Sequence, residues 1–235
     1  MKKIVILTGA GVSKESGLDT FRDANGIWSK YSMDEVCSPL GFQKNPQKVH
    51  EFYNRLRTDL PSVKPNNAHI ALAELEKAIE CKKIKAEFLL VTQNIDDLHE
   101  KAGSHNVIHM HGELNKVYCT ACYLKTEWHT PCFVDTVCPQ CGKTQLRPDI
   151  VWFGEMPYFM DEIQQALKSC TLFIAVGTSG VVYPAAGFVN LVPKHARTVE
   201  LNLEASLGTS RFNESYFGPA TLLVPEFVNK ILRDE

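Results

Sequence analysis

The sequence predicts an α/β fold: a parallel sheet with helices on both faces, broken by two small inserts. Three observations predict it. Short apolar runs rich in β-branched residues read as strands buried on both faces. Stretches with helical apolar spacing lie between them. A glycine turn closes the first run, the place where parallel-sheet proteins bind ligands.

The elements follow in chain order. Ile4-Val5-Ile6-Leu7 is the first strand, and Thr8-Gly9-Ala10-Gly11 is its turn. Glycines let a backbone approach an anion, and the N–H groups of the next helix point at it. The turn departs from the usual dinucleotide fingerprint, because Lys14 stands where a third glycine is due. A second glycine turn at Gly17 leads into Thr20-Phe21-Arg22. Gln47–Leu60 has a helical pattern flanked by Pro39, Pro61 and Pro65, so residues 31–65 read as a helical insert. Ala68–Glu80 has apolar residues at Ile70, Leu72, Ala73, Leu75 and Ile79, with Asn66 or Asn67 as cap. Phe88–Val91, Leu172–Val176 and Thr198–Leu201 read as further strands. Met160–Ser169 reads as a short helix and Ala220–Val224 as the last strand. Segments 1–30, 66–116 and 147–235 then make the sheet domain, with 117–146 as a cysteine-rich insert.

Composition narrows the function. The chain has 235 residues, enough for a large domain with a sizeable core, and 44% apolar with 22% charged residues is ordinary for a globular protein. A net charge of -2 argues against a surface built to grip nucleic acid phosphates. No apolar run approaches the ~20 residues needed to span a bilayer. Met1-Lys2-Lys3 leads straight into the first strand with no cleavage site, so the expected compartment is the cytoplasm and no membrane is expected. In a reducing compartment, clustered cysteines bind metal more often than they form disulfides.

Cys119-x2-Cys122 and Cys138-x2-Cys141 have the spacing of a structural zinc ribbon, in which two tight turns close a tetrahedral site. Two redox pairs are the alternative, but neither pair opens a helix in a thioredoxin-like setting. Cys132 reads as a bystander, and Cys37, Cys81 and Cys170 read as small apolar residues. Four strand ends carry small or polar residues: Thr8–Gly11, Thr92–Asp96, Gly177–Gly180 and Asn202–Glu204. Each alone is turn chemistry; together they fit an extended polar ligand. The two histidines of His109-Met110-His111-Gly112 are expected to face different ways, so that one of them faces a given cleft. On residues alone, each histidine serves either a structural or a catalytic role.

The ordered set of motifs resembles the sirtuins, NAD-dependent protein deacylases, over nearly the whole chain. The matching pieces are Gly9–Ser13, Gly17–Arg22, Gln93–Asp96, His109–Gly112, the four cysteines, Val151–Glu155, Gly177–Ser179 and Asn202–Glu204. The resemblance implies a Rossmann-like parallel sheet with a small inserted zinc-ribbon and helical domain, with NAD as co-substrate and one structural zinc on Cys119, Cys122, Cys138 and Cys141. It places NAD against Gly9, Ala10, Gly11, Ser13, Thr20, Phe21, Arg22, Trp28, Gln93, Asn94, Ile95, Asp96, Gly177, Thr178, Ser179, Asn202, Leu203, Glu204 and Ala220. Phe21 would keep water from the reactive carbon and Arg22 would order the loop over the cofactor. His111, Asn94 and Asp96 would be catalytic, with His111 as general base on the ribose hydroxyls. Acyl-lysine would enter past Tyr53, Val151, Phe153, Gly154, Glu155, Gly180 and Val181, its backbone added as a strand. The products would be free lysine, nicotinamide and O-acyl-ADP-ribose, with no hydride moved.

Thr20-Phe21-Arg22 and Tyr53 resemble the class III branch, in which a tyrosine and an arginine three residues later bind succinyl- or malonyl-lysine. This chain departs there: Leu56 holds the arginine position, between Arg55 and Arg57. Arg57, at i+4 from Tyr53, would reach the same pocket or stay a solvated helix charge. Two competitors remain at this stage. One is mono-ADP-ribosyl transfer or NAD hydrolysis on the same scaffold. The other is a zinc-ribbon module that binds a protein or nucleic acid without catalysis.

Overall fold

The computed structural model describes residues 2–18 and 31–233. Among these, β1 (Lys2–Thr8), β2 (Ala86–Thr92), β3 (Val107–His109), β7 (Leu172–Val176), β8 (Arg197–Asn202) and β9 (Glu214–Phe217) form an all-parallel sheet. Its order is β3-β2-β1-β7-β8-β9. A second, antiparallel sheet has the order β5-β4-β6, from β4 (Gly112–Cys119), β5 (Lys125–Glu127) and β6 (Leu146–Ile150).

The parallel strands alternate sides along the chain, and both sides are covered. Ile4, Ile6, Phe88, Leu90, Ile174, Val176, Val199 and Leu201 pack with α5 (Asn67–Glu80) and α8 (Ala220–Arg233). Val5, Leu7, Leu89, Val91, Phe173 and Ala175 pack with α7 (Met160–Ser169) and the 3-10 turn Ala185–Leu191. Burial on both faces is why these strands read as continuous apolar runs. Asn66 caps α5, accepting from the Ala68 N–H while its own N–H meets His69 Nδ1.

Strand order reverses between β1 and β7, which opens a crevice at their carboxyl ends. The turns there are tight. A Cβ on Gly9 would lie 2.7 Å from the Gly177 oxygen, and one on Gly11 would lie 2.8 Å from Gly177 Cα. Gly177 itself has φ +61°, a left-handed conformation that favours glycine. The glycines therefore let α1 (Gly11–Lys14) close onto the end of β7.

The helical insert holds α2 (Met33–Val36), α3 (Pro39–Lys44) and α4 (Pro46–Asp59). Its core of Val36, Val49, Phe52 and Tyr53 continues into Leu114, Ile150 and Trp152 of the second sheet and the segment after it. Asn54 of α4 reaches the cysteine-rich loop, donating to the Cys132 carbonyl and accepting the Cys132 N–H, both at 2.8 Å.

Two expectations are corrected. Ala220–Val224 is the first part of α8, and the last strand is the short β9 before it. A five-residue apolar run has no period to tell strand from helix, and the helix continues through Pro225. The insert expected at 117–146 is also wider, because its sheet starts at Gly112 and runs to Ile150. The physical reason is that β4 and β6 pair over this length. Among the described residues no helix is long and apolar enough to cross a membrane.

Candidate functional site

A cavity of about 690 Å³ lies over the crevice. The strand ends supply Gly9–Gly11, Gln93–Ile95, Gly177–Ser179 and Asn202–Glu204, and the start of α8 supplies Ala220. The helical insert supplies Met33, Cys37 and Tyr53, and the segment from Ile150 to Glu155 closes the wall with Val181 and Tyr183. His111 lines the same space. The structure thus brings most of the expected site residues to one place. Ser13, Asp96 and Gly180 do not line it. Thr20, Phe21, Arg22 and Trp28 lie outside the described residues.

The loop after β2 is fixed by the segment after β3. The Thr92 carbonyl accepts from the Met110 N–H at 3.1 Å and the Ile95 carbonyl from the Leu114 N–H at 2.8 Å. Between them, the Gln93 carbonyl takes His111 Nδ1 at 2.9 Å and the Asn94 carbonyl takes His109 Nδ1 at 3.2 Å. A carbonyl only accepts, so His111 Nδ1 carries the hydrogen and Nε2 is the basic nitrogen. Burial holds the His111 pKa below the usual 6.5, against the bond to Gln93, so the ring is neutral near pH 7. A neutral half-buried imidazole with a fixed tautomer is a competent general base.

Behind the wall, Asp96 accepts from Ser13 Oγ at 3.0 Å and from the Leu98 N–H at 3.1 Å. Asn94 Nδ2 donates to the Gly9 carbonyl and to Ser13 Oγ. The β1 turn and the β2 loop are therefore one hydrogen-bonded unit. Burial raises the Asp96 pKa, with Leu98 and Ser13 pulling the other way.

Beside Asn202 the sequence reading missed Glu200. It is fully buried in β8 and accepts from Asn202 Nδ2 at 2.9 Å, from Thr209 Oγ1 at 2.6 Å and from Ser206 Oγ. It thereby shapes the loop that carries Asn202–Glu204. The signal was a carboxylate inside an otherwise apolar strand, which demands partners.

Where the helical insert meets the cavity, Trp152 Nε1 donates to Tyr53 Oη at 2.9 Å, and Cys37 Sγ lies 3.4 Å from the same oxygen. The Tyr53 hydroxyl is thus occupied on both sides, by a donor and by a sulfur. Cys37 is more than a small apolar filler, since it lines the cavity; no sequence signal marks it. Burial pushes its thiol up to about 11. Arg57 corrects both sequence readings. It is 2% exposed, neither solvated nor in the cavity, and donates to the Leu114 carbonyl at 3.0 Å and to Asn54 Oδ1 at 2.9 Å. From α4 it ties the helical insert to β4. Nor is Arg147 free, because it makes a two-pronged pair with Glu155 at 2.7 and 2.9 Å and stacks on Trp152.

The four cysteines Cys119, Cys122, Cys138 and Cys141 bring their sulfurs within 4.8 Å of one another. Cys119 to Cys141 and Cys122 to Cys138 both measure 3.7 Å. Two thiolates ~2.3 Å from a tetrahedral zinc lie about 3.8 Å apart, so the set fits that ion. Four protein ligands leave no open position, which makes the metal structural.

The Sir2 family model matches residues 9–184. The chain belongs to the Sir2 family. It is 52% identical over 235 residues to an NAD-dependent protein deacylase of Salmonella typhimurium, covering 98% of this chain and 84% of that protein. It is 50% identical to an NAD-dependent protein deacylase of Bdellovibrio bacteriovorus, covering 98% and 97%. Among solved structures, a Sir2 homolog–NAD complex superposes with a TM-score of 0.88 at 38% identity, covering 99% of this chain and 90% of that one. The Sir2 fold explains the two sheets and the cavity between them.

Removing the metal tests the cysteine set. The purified protein should carry one zinc per chain by mass spectrometry of the metal. A strong chelator should release it, make the four cysteine thiols reactive and melt the second sheet as read by circular dichroism. A metal-free protein with unreactive thiols and an intact fold would contradict the assignment.

Proposed function

We propose that this chain is an NAD-dependent protein-lysine deacylase acting on uncharged acyl groups, acetyl first, in preference to succinyl or malonyl. His111 carries the reading: its Nδ1 is locked on Gln93, and it shares one cavity with the glycine turns and an apolar acyl pocket. Bound NAD supplies an electrophilic ribose carbon and nicotinamide as the leaving group. Gly9–Gly11 and Gly177–Ser179 hold the pyrophosphate, and Asn202–Glu204 the adenosine ribose. Asn94 orients the second ribose, with Asp96 holding Ser13 and the loop behind it. His111 Nε2 takes a proton from a ribose hydroxyl. Exposed Phe153 and Val181 flank the peptide path, in which the substrate backbone pairs as a strand. The partners are acylated proteins, and the net charge of -2 supports a site for proteins over nucleic acid in a cytoplasmic setting.

The acyl preference follows from charges. No arginine is among the described residues lining the cavity. Leu56 stands one turn beyond Tyr53, Arg57 is committed to Leu114, and the Tyr53 hydroxyl is occupied. A succinyl carboxylate beside Tyr53 would lose its water without an arginine partner, the lysine of the described lining being Lys14 at the end of α1.

Two outcomes test this. His111→Ala should lower turnover by about 10²–10⁴-fold with the fold intact, read as nicotinamide release together with peptide mass. In the parent protein kcat/KM should fall as pH drops below the usual histidine value of 6.5, because protonation removes the base. Nicotinamide release without any change in peptide mass would sink the deacylase reading and favour NAD hydrolysis. On matched peptides, acetyl should be removed at least about tenfold faster than succinyl, and Leu56→Arg should narrow or reverse that ratio. Faster succinyl removal by the parent protein would contradict the neutral-pocket reading.

A further inference from the structure

His109 does not line the cavity, yet it is 7% exposed and bonded at both ring nitrogens. Nδ1 lies 3.2 Å from the Asn94 carbonyl oxygen, and Nε2 lies 2.7 Å from Glu100 Oε1. A carbonyl and a carboxylate both accept, so both nitrogens must donate. A neutral imidazole has one N–H; the imidazolium has two and satisfies both partners. The other solution, a protonated Glu100, is disfavoured because its carboxylate is 42% exposed and His109 holds its pKa below the usual value against the cost of burial.

The charged groups around the ring favour the cation. Glu100 comes from α6 (Leu98–Ala102), and Glu113 comes from β4, itself paired with Lys116 at 2.6 Å. Asp96 lies on the loop between β2 and α6, and its carboxylate feels the His109 charge. Against the cation stand Lys116 of β4, whose charge also reaches Glu100, and His99 of α6, where burial with His69 and His109 beside it keeps the ring neutral. Burial opposes charge on His109, but Glu100, Glu113 and the Asn94 carbonyl outweigh it and lift its pKa above 6.5.

We propose that His109, as an imidazolium clamped by Glu100, is a positioning residue for the NAD site. It holds the Asn94 carbonyl from behind and so aims the Asn94 side chain, which lines the cavity, at the nicotinamide ribose. This rests on the NAD-dependent deacylase reading above. The paired histidines then have opposite pH behaviour. His111 must be neutral to act, so activity is lost as pH falls. On losing a proton, His109 keeps its one remaining hydrogen on Nε2 toward the Glu100 carboxylate, the stronger acceptor, and Nδ1 is left bare against the Asn94 carbonyl, so its contribution is complete at low pH and is lost as pH rises through a value above 6.5.

The experiment compares the parent protein with His109→Leu and His109→Asn. Nicotinamide release from an acetyl-lysine peptide is followed against NAD concentration from about pH 6 to pH 9. Calorimetric titration with NAD alone gives the affinity without turnover, and thermal unfolding reports stability. Asparagine places an amide near the Nδ1 position, keeping the donor to Asn94 without the charge. His109→Leu should raise KM and Kd for NAD about tenfold near pH 7, with a smaller change in kcat. His109→Asn should recover most of that loss and abolish the alkaline rise in KM of the parent protein. A His109→Leu protein that melts earlier but keeps the parent KM and Kd would overturn the proposal, leaving a structural histidine. So would an alkaline limb that survives in His109→Asn. If the parent protein released no nicotinamide, the deacylase reading alone would fall, because the Kd pattern stands without turnover.

Discussion

Four consecutive carbonyls, Thr92 to Ile95, leave the parallel sheet and are taken one after another by residues 110, 111, 109 and 114. Everything at the site depends on that lock. Backbone carbonyls at the end of a buried strand need partners, and here two of the partners are histidine side chains. The bond that satisfies Gln93 also sets which nitrogen of His111 is basic. The bond that satisfies Asn94 draws a buried charge up against the loop. Satisfying the backbone and fixing the tautomer of His111 are one and the same contact.

The lock also joins the two sheets. Gly112 follows His111 directly, with φ +81°, and a Cβ there would run into the Asp149 carbonyl. The chain can therefore pass from the parallel sheet into β4 while β6 lies close beside it. On the far side Arg57 and Asn54 fasten α4 to Leu114 and to Cys132. The zinc ligands lie beyond that point, far along β4 from His111. A metal with no open position fits this role: it holds a small sheet that buries little apolar surface, so that α4 and Tyr53 have something firm to rest on.

Much of this was legible in the sequence. The runs at Ile4, Phe88, Leu172 and Thr198 became β1, β2, β7 and β8 because strands buried on both faces are apolar throughout. The cysteine spacing announced its own geometry. Polar residues at the strand ends marked the cavity, since an open parallel sheet binds there. What was not legible depends on tertiary context. Edge strand β9, Glu-Ser-Tyr-Phe, is short and half polar, and α8 begins with a run that propensity cannot assign. Arg57 counted as a candidate by helix spacing, yet spacing says nothing of a carbonyl from β4 waiting beside it. Cys37 meets Tyr53 and Trp152 only through the fold. The two histidines were ambiguous in sequence because i and i+2 share one side of an extended strand; the turn at Met110 and His111, after β3 ends at His109 and before β4 starts at Gly112, is what sends the two rings different ways.

The most direct test of the carbonyl lock is the tautomer of His111. Long-range proton–nitrogen NMR spectra of the imidazole, taken near neutral pH in the absence of ligand, distinguish a protonated Nδ1 from a protonated Nε2. The account predicts one tautomer, with the hydrogen on Nδ1 and a bare Nε2. A ring protonated at Nε2, or an even mixture of the two forms, would mean that Gln93 does not hold His111 and that the base is not prepared by the backbone.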